Sequence, residues 1–126
     1  MKEDKIILLH ILDEVEYLME KSSTLTYDQL CNSKDIEHAI TRSIEIIGEA
    51  SKNVSYEICM KYPEIPWKNM AGMRDRIIHG YFSINYEIVY DVVMNKIPEL
   101  EPLIRRIIYD LDNREIPSLK NSSRNE

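Results

Sequence analysis

Eight consecutive residues, Arg74-Asp75-Arg76-Ile77-Ile78-His79-Gly80-Tyr81, place a fixed cation, a titratable base and a phenol side by side. Among the three histidines, only His79 is set among other functional groups. An unperturbed imidazole titrates near about pH 6.5, so it can take or give a proton close to neutrality. Arg74 stays charged at any physiological pH and offers planar donors that match phosphate oxygens. Together they suit phosphoryl chemistry on RNA. A base takes the 2′-hydroxyl proton, an acid protonates the leaving 5′-oxygen, and a cation stabilises the crowded phosphorane.

The spacing is awkward for a single chain. Five positions along an ideal helix turn a side chain by about 140°, so Arg74 and His79 do not share one helical face. Either the arginine curls round or the last turn loosens before Gly80. One histidine also serves poorly where both an acid and a base are wanted. A homodimer with an isologous two-fold contact answers this, because it brings a second Arg–His pair into the same cleft.

The elements that must position this segment are helical. Leu8, Ile11, Leu12, Val15 and Leu18 give a first helix over about 4–21, with acidic residues opposite. A short helix follows over 27–31, with Thr26 as its cap. Ser33 can cap a long helix from Lys34, with Glu37 near the place of a capping-box partner. Ile36, Ile40, Ile44, Ile47 and Val54 form its buried stripe. Gly48 inside that stripe implies close approach of a neighbouring helix. Asn53 breaks the element, and a further piece over 55–61 ends at Pro63 and Pro66. Residues 67–79 read as the next helix, closed by Gly80 at the left-handed C′ position. There the helix dipole would favour a protonated His79. Asn85 can cap the last region, whose seam runs Val89, Val93, Ile97, Leu100, Ile104, Ile107 and Leu111. Pro98 predicts a kink or two nearly collinear helices. The expected fold class is all-α, an antiparallel helical bundle over 1–116 with a polar, frayed tail over 117–126.

Bulk properties narrow the function classes. At 126 residues the chain fits one domain, and three glycines and five prolines are too few for an all-β chain full of turns. No apolar run approaches the roughly 20 residues of a membrane-spanning helix, and Met1-Lys2-Glu3-Asp4-Lys5 lacks a signal-peptide layout. A cytoplasmic location without membrane association is expected. Cys31 and Cys59 are isolated and read as reduced, partly buried thiols. No Asp/Glu/His cluster has ligand spacing, so neither a metal nor another cofactor is expected. A net charge of −6 argues against gripping long duplex DNA but leaves room for a short RNA segment in a locally cationic cleft.

Several polar residues have simpler readings. His10 and His38 read as packing or surface residues. Arg42, Glu45, Glu49 and Lys52 read as a salt-bridged, solvated face, with a place at the cleft edge as the alternative. Trp67 reads as the anchor of the helix carrying Arg74, with stacking on a base as the alternative. Arg105 and Arg106, late in the last helix, suit a helix dipole, with phosphate contact as the alternative.

Arg74-x4-His79-x-Tyr81 resembles the Arg-x4-His-x-Tyr signature of the HepT toxins, a branch of the HEPN nuclease superfamily. The likeness extends to Ile44-Glu45-Ile46-Ile47-Gly48-Glu49-Ala50, Tyr62-Pro63-Glu64-Ile65-Pro66-Trp67 and Ala71-Gly72-Met73-Arg74, and covers roughly 36–103. It implies a HEPN-like, homodimeric, metal-independent endoribonuclease, the toxin of a type VII toxin–antitoxin system. It also implies an antitoxin partner, an MntA-type nucleotidyltransferase that transfers AMP to the toxin. Carried across, the resemblance makes Arg74 and His79 the catalytic pair, Asp75 a supporting residue and Tyr81 the AMP acceptor. A rival reading is a non-catalytic, nucleotide-binding partner subunit of a minimal nucleotidyltransferase. A plain helical scaffold is a third.

Overall fold

Leu8, Ile11, Val15 and Leu18 are fully buried on one face of α1 (Lys2–Ser22), as their spacing by threes and fours requires. The computed structural model describes residues 2–79 and 83–115. Thr26 opens α2 (Tyr27–Asn32) with a reciprocal cap: its hydroxyl accepts from the Gln29 N–H, and the Gln29 side chain accepts from the Thr26 N–H, both at 3.1 Å. Ser33 caps α3 (Lys34–Ser51) by accepting from the Ile36 N–H at 3.2 Å. Glu37 does not complete a box there. It sits one residue too far along, and it accepts instead from the Thr41 hydroxyl at 2.9 Å.

After α3, Ser55 caps α4 (Tyr56–Lys61). The carboxylate of the buried Asp4 accepts from the Ser55 N–H at 2.8 Å and its hydroxyl at 2.7 Å, so the buried charge is satisfied. Two short helices follow, α5 (Trp67–Ala71) and α6 (Met73–Ile77), then a two-stranded antiparallel pair, β1 (Ile78–His79) and β2 (Ser83–Ile84). Asn85 caps α7 (Tyr86–Asp91), its side chain accepting from the Ile88 N–H at 3.1 Å. A π-helical turn, Val92–Lys96, leads into α8 (Ile97–Glu115).

The bundle is built on α1, which packs between α3 and α8. It runs antiparallel to both. Ser43 donates to Glu14 whereas Ser55 reaches back to Asp4, and Asp112 pairs with Lys5 whereas Arg105 pairs with Glu16. All seven residues of the predicted late seam, Val89 to Leu111, are buried, and Ile40, Ile44, Ile47 and Val54 join them in one continuous core. Ile36 lies at its edge. The seam survives Pro98 because the π-helical turn comes just before it: the Ile97 N–H bonds the Val92 carbonyl, one residue further back than in an α-helix. The wider turn matches the two successive four-residue steps, Val89 to Val93 to Ile97.

Two expectations are corrected here. Residues 67–79 do not form one helix, since the chain breaks at Gly72 and is extended by Ile78. Arg105 lies in mid-helix, where Glu101 and Glu16 hold it, so it ties α8 to α1 rather than serving the helix end. No helix among the described residues is long and apolar enough to cross a membrane. The tail over 117–126 lies outside the described residues.

Candidate active site

The segment carrying Arg74 is fixed to the bundle at its start. Pro63 and Pro66 end α4 and lead into α5, where Trp67 is half-buried against the core. Its indole N–H donates to the Tyr62 carbonyl at 3.0 Å. Tyr62 is itself buried, and its hydroxyl donates to Asp110 on α8 at 2.7 Å. Burial, together with that carboxylate, pushes its pKa up to about 12. The other face of α5 touches α3, where a Cβ added to Gly48 would stand 3.0 Å from the Met70 carbonyl oxygen. The close approach expected at Gly48 is thus backbone against backbone.

Beyond Gly72 the chain makes one more turn. Arg74, Asp75 and Arg76 are exposed on α6, while Ile77 is fully buried and pins it. Ile78 then adopts extended backbone at φ −111°, ψ 120°, with its N–H still bonded to the Arg74 carbonyl. Ile78 pairs with Ile84 and His79 with Ser83. The Asn85 N–H closes the base of this pairing on the Ile77 carbonyl at 2.7 Å. The last turn thus loosens before Gly80, one of the two alternatives that the spacing left open. The last helical residue is Ile77, so His79 lies on a strand and not at a helix terminus, and the dipole argument made for it does not apply. Gly80 and Tyr81 lie outside the described residues.

The fold brings Glu45 to the segment, a residue whose stripe reads from sequence first as a solvated face and only alternatively as a cleft edge. The Arg74 Nε–H donates to Glu45 Oε2 at 3.0 Å, across 29 positions of sequence. Glu45 Oε1 also lies 3.8 Å from Arg42 Nη1. The stripe on α3 is therefore not purely a solvated face. Glu49 and Lys52 do pair with each other at 3.1 Å, as that reading expects, but Glu45 turns toward Arg74. A weak signal existed, because Glu45 belongs to the same block as Gly48, where α3 meets α5.

Beside α6 lies a groove of about 500 Å³ between α3, α5 and α7 to α8. Ile44, Ile47, Met73, Ile88 and Leu103 are among its apolar lining, and its rim carries Arg76 and Lys96 with Glu87 and Asp91. Among the described residues, no three His, Cys, Asp or Glu side chains come together as a metal site. Cys31 and Cys59 are both free and half-buried, and His10 and His38 are exposed.

The family model described as ribonuclease HepT-like matches residues 11–107. A protein of Methanocaldococcus jannaschii named "Putative RNase" is 39% identical over 118 residues, covering 94% of this chain and 98% of that protein. Another of that name, from Caldanaerobacter subterraneus subsp. tengcongensis, is 41% identical over 108 residues, covering 86% and 96%. The "Probable ribonuclease HepT" of Thermococcus cleftensis is 36% identical over 97 residues, covering 77% and 88%. No solved structure matches the chain significantly.

Proposed function

Because the chain belongs to the ribonuclease HepT-like family, we propose that it cuts RNA with Arg74 and His79, working as a two-fold homodimer without a metal. The observation that carries this reading is the join between α6 and β1. An exposed guanidinium stands on the last helical turn, and the backbone then becomes extended at Ile78, one residue before His79. In this reading Arg74 binds the scissile phosphate and stabilises the charge that builds on it. His79 moves the proton, as base toward the 2′-hydroxyl in one subunit and as acid toward the 5′-oxygen in the other. Asp75, exposed beside Arg74, supports the cation. The apolar groove next to α6, with both signs of charge on its rim, is a surface that a second copy can cover.

The same reading makes the chain the toxin of a type VII pair. Its antitoxin is a nucleotidyltransferase of the MntA type, which silences it by placing AMP on Tyr81. The choice of Tyr81 rests on the family's Arg-x4-His-x-Tyr signature, and a bulky anion added two positions along the chain from the proposed base would repel the RNA backbone.

Purified His79→Ala is expected to keep its helical content and to lose at least about a hundredfold in cleavage of a labelled RNA oligonucleotide. Undiminished cleavage rejects the assignment. Intact mass spectrometry after co-expression with the nucleotidyltransferase should show AMP increments that Tyr81→Phe abolishes.

A further inference from the structure

We infer that Glu45 is the positioning residue for the Arg74 guanidinium, and the inference rests on the nuclease reading above. Arg74 rises from a five-residue helix that has no side-chain cap, and its side chain is 57% exposed. Left alone, so long a side chain would spread over many rotamers and point at a phosphate only part of the time. Glu45 supplies the fixed point. It belongs to the 18-residue α3, whose neighbouring turns hold Ile40, Ile44 and Ile47 in the core, and its own side chain is only 22% exposed.

The atoms used are as informative as the pairing. Glu45 takes the Nε–H of Arg74, at 3.0 Å. That leaves the two terminal Nη groups, the fork that binds phosphate oxygens in a bidentate manner. A carboxylate so near a phosphate site would by itself repel RNA. Arg42 offsets this, its Nη1 lying 3.8 Å from the other carboxylate oxygen, so the trio keeps a net positive charge. Glu45 therefore aims the cation without cancelling it. Ion pairs this exposed add little to folding stability, so the residue can be replaced without losing the fold.

The test uses the purified full chain and a labelled single-stranded RNA oligonucleotide, with kcat and KM measured separately. Glu45→Ala is expected to lower kcat by roughly ten- to a hundredfold, the scale of a misplaced catalytic group, with KM changed by no more than about twofold. Glu45→Gln keeps an acceptor for the Nε–H and should recover most of kcat, while both variants melt within a few degrees of the parent. Parental or faster cleavage by Glu45→Ala overturns the proposal, the faster result marking the carboxylate as a brake. So does a Gln variant no better than Ala. Arg74→Ala runs alongside. If it loses cleavage while Glu45→Ala does not, only the positioning role fails; if it cleaves normally, the nuclease reading falls first.

Discussion

Along α8 and the turns before it, seven apolar residues stepping by threes and fours are all buried, and even Pro98 does not disturb them. Between Trp67 and Ile84 no such period persists, and the backbone passes from helix to break to helix to strand. The first region is specified redundantly, because each seam residue repeats what its neighbours say about which face is inside. The second is specified by single contacts: the indole of Trp67 on Tyr62, the bare Cα of Gly48 under Met70, buried Ile77, and the Asn85 N–H on the Ile77 carbonyl. Shape is thus distributed over the bundle, and the geometry of the candidate site is concentrated in a few contacts.

This difference predicts that substitutions in the two regions fail in different ways. Ile104, fully buried within the seam, should show the largest effect on folding. Ile104→Ala is expected to lose about 2–5 kcal/mol in urea denaturation, while the molecules that remain folded cleave RNA at the parental rate. A lowered rate per folded molecule would break the comparison. Gly48→Ala should come next, at about 1–3 kcal/mol, since its methyl meets a backbone carbonyl and not a flexible side chain. Here cleavage should fall along with stability, because α5 must move and α6 moves with it. Retained cleavage would show that the site tolerates displacement.

The smallest effect belongs to Tyr62→Phe, at about 1 kcal/mol near neutral pH for the lost bond to Asp110. It carries a pH signature. Tyr62 holds its proton to about pH 12 when folded, against 10.0 for the free group, so the unfolded chain releases its proton first. Rising pH therefore favours unfolding between about 10 and 12, and stability is undiminished below that window. Denaturation curves across this range should show the decline in the parent, reduced in the Phe variant.

How much could be read from the sequence follows the same division. The late seam, the stripe on α3, and the caps at Thr26, Ser33 and Asn85 were legible because each depends on residues within a few positions of one another. The break at Gly72 and the strand at Ile78 were not. Arg-Asp-Arg-Ile-Ile has no local reason to leave a helix, and Gly72 itself has an ordinary negative φ of −93°. What draws the chain out is the pairing of Ile78 with Ile84 and His79 with Ser83, a ladder of two residues a side that is too short to leave any alternation in the sequence. The partner of Glu45 was hidden for a different reason. Charges three and four apart on α3 account for one another well enough, and only the fold reveals a guanidinium 29 positions away.

Trp67 gives the molecule a built-in optical gauge. It is the sole tryptophan, it opens α5, and its indole N–H is tethered to the Tyr62 carbonyl at 3.0 Å. Its emission therefore reports on whether the arm bearing the cations is seated, whereas circular dichroism is dominated by the long helices. An emission change that precedes the loss of ellipticity on heating would reveal the arm lifting from an otherwise intact bundle.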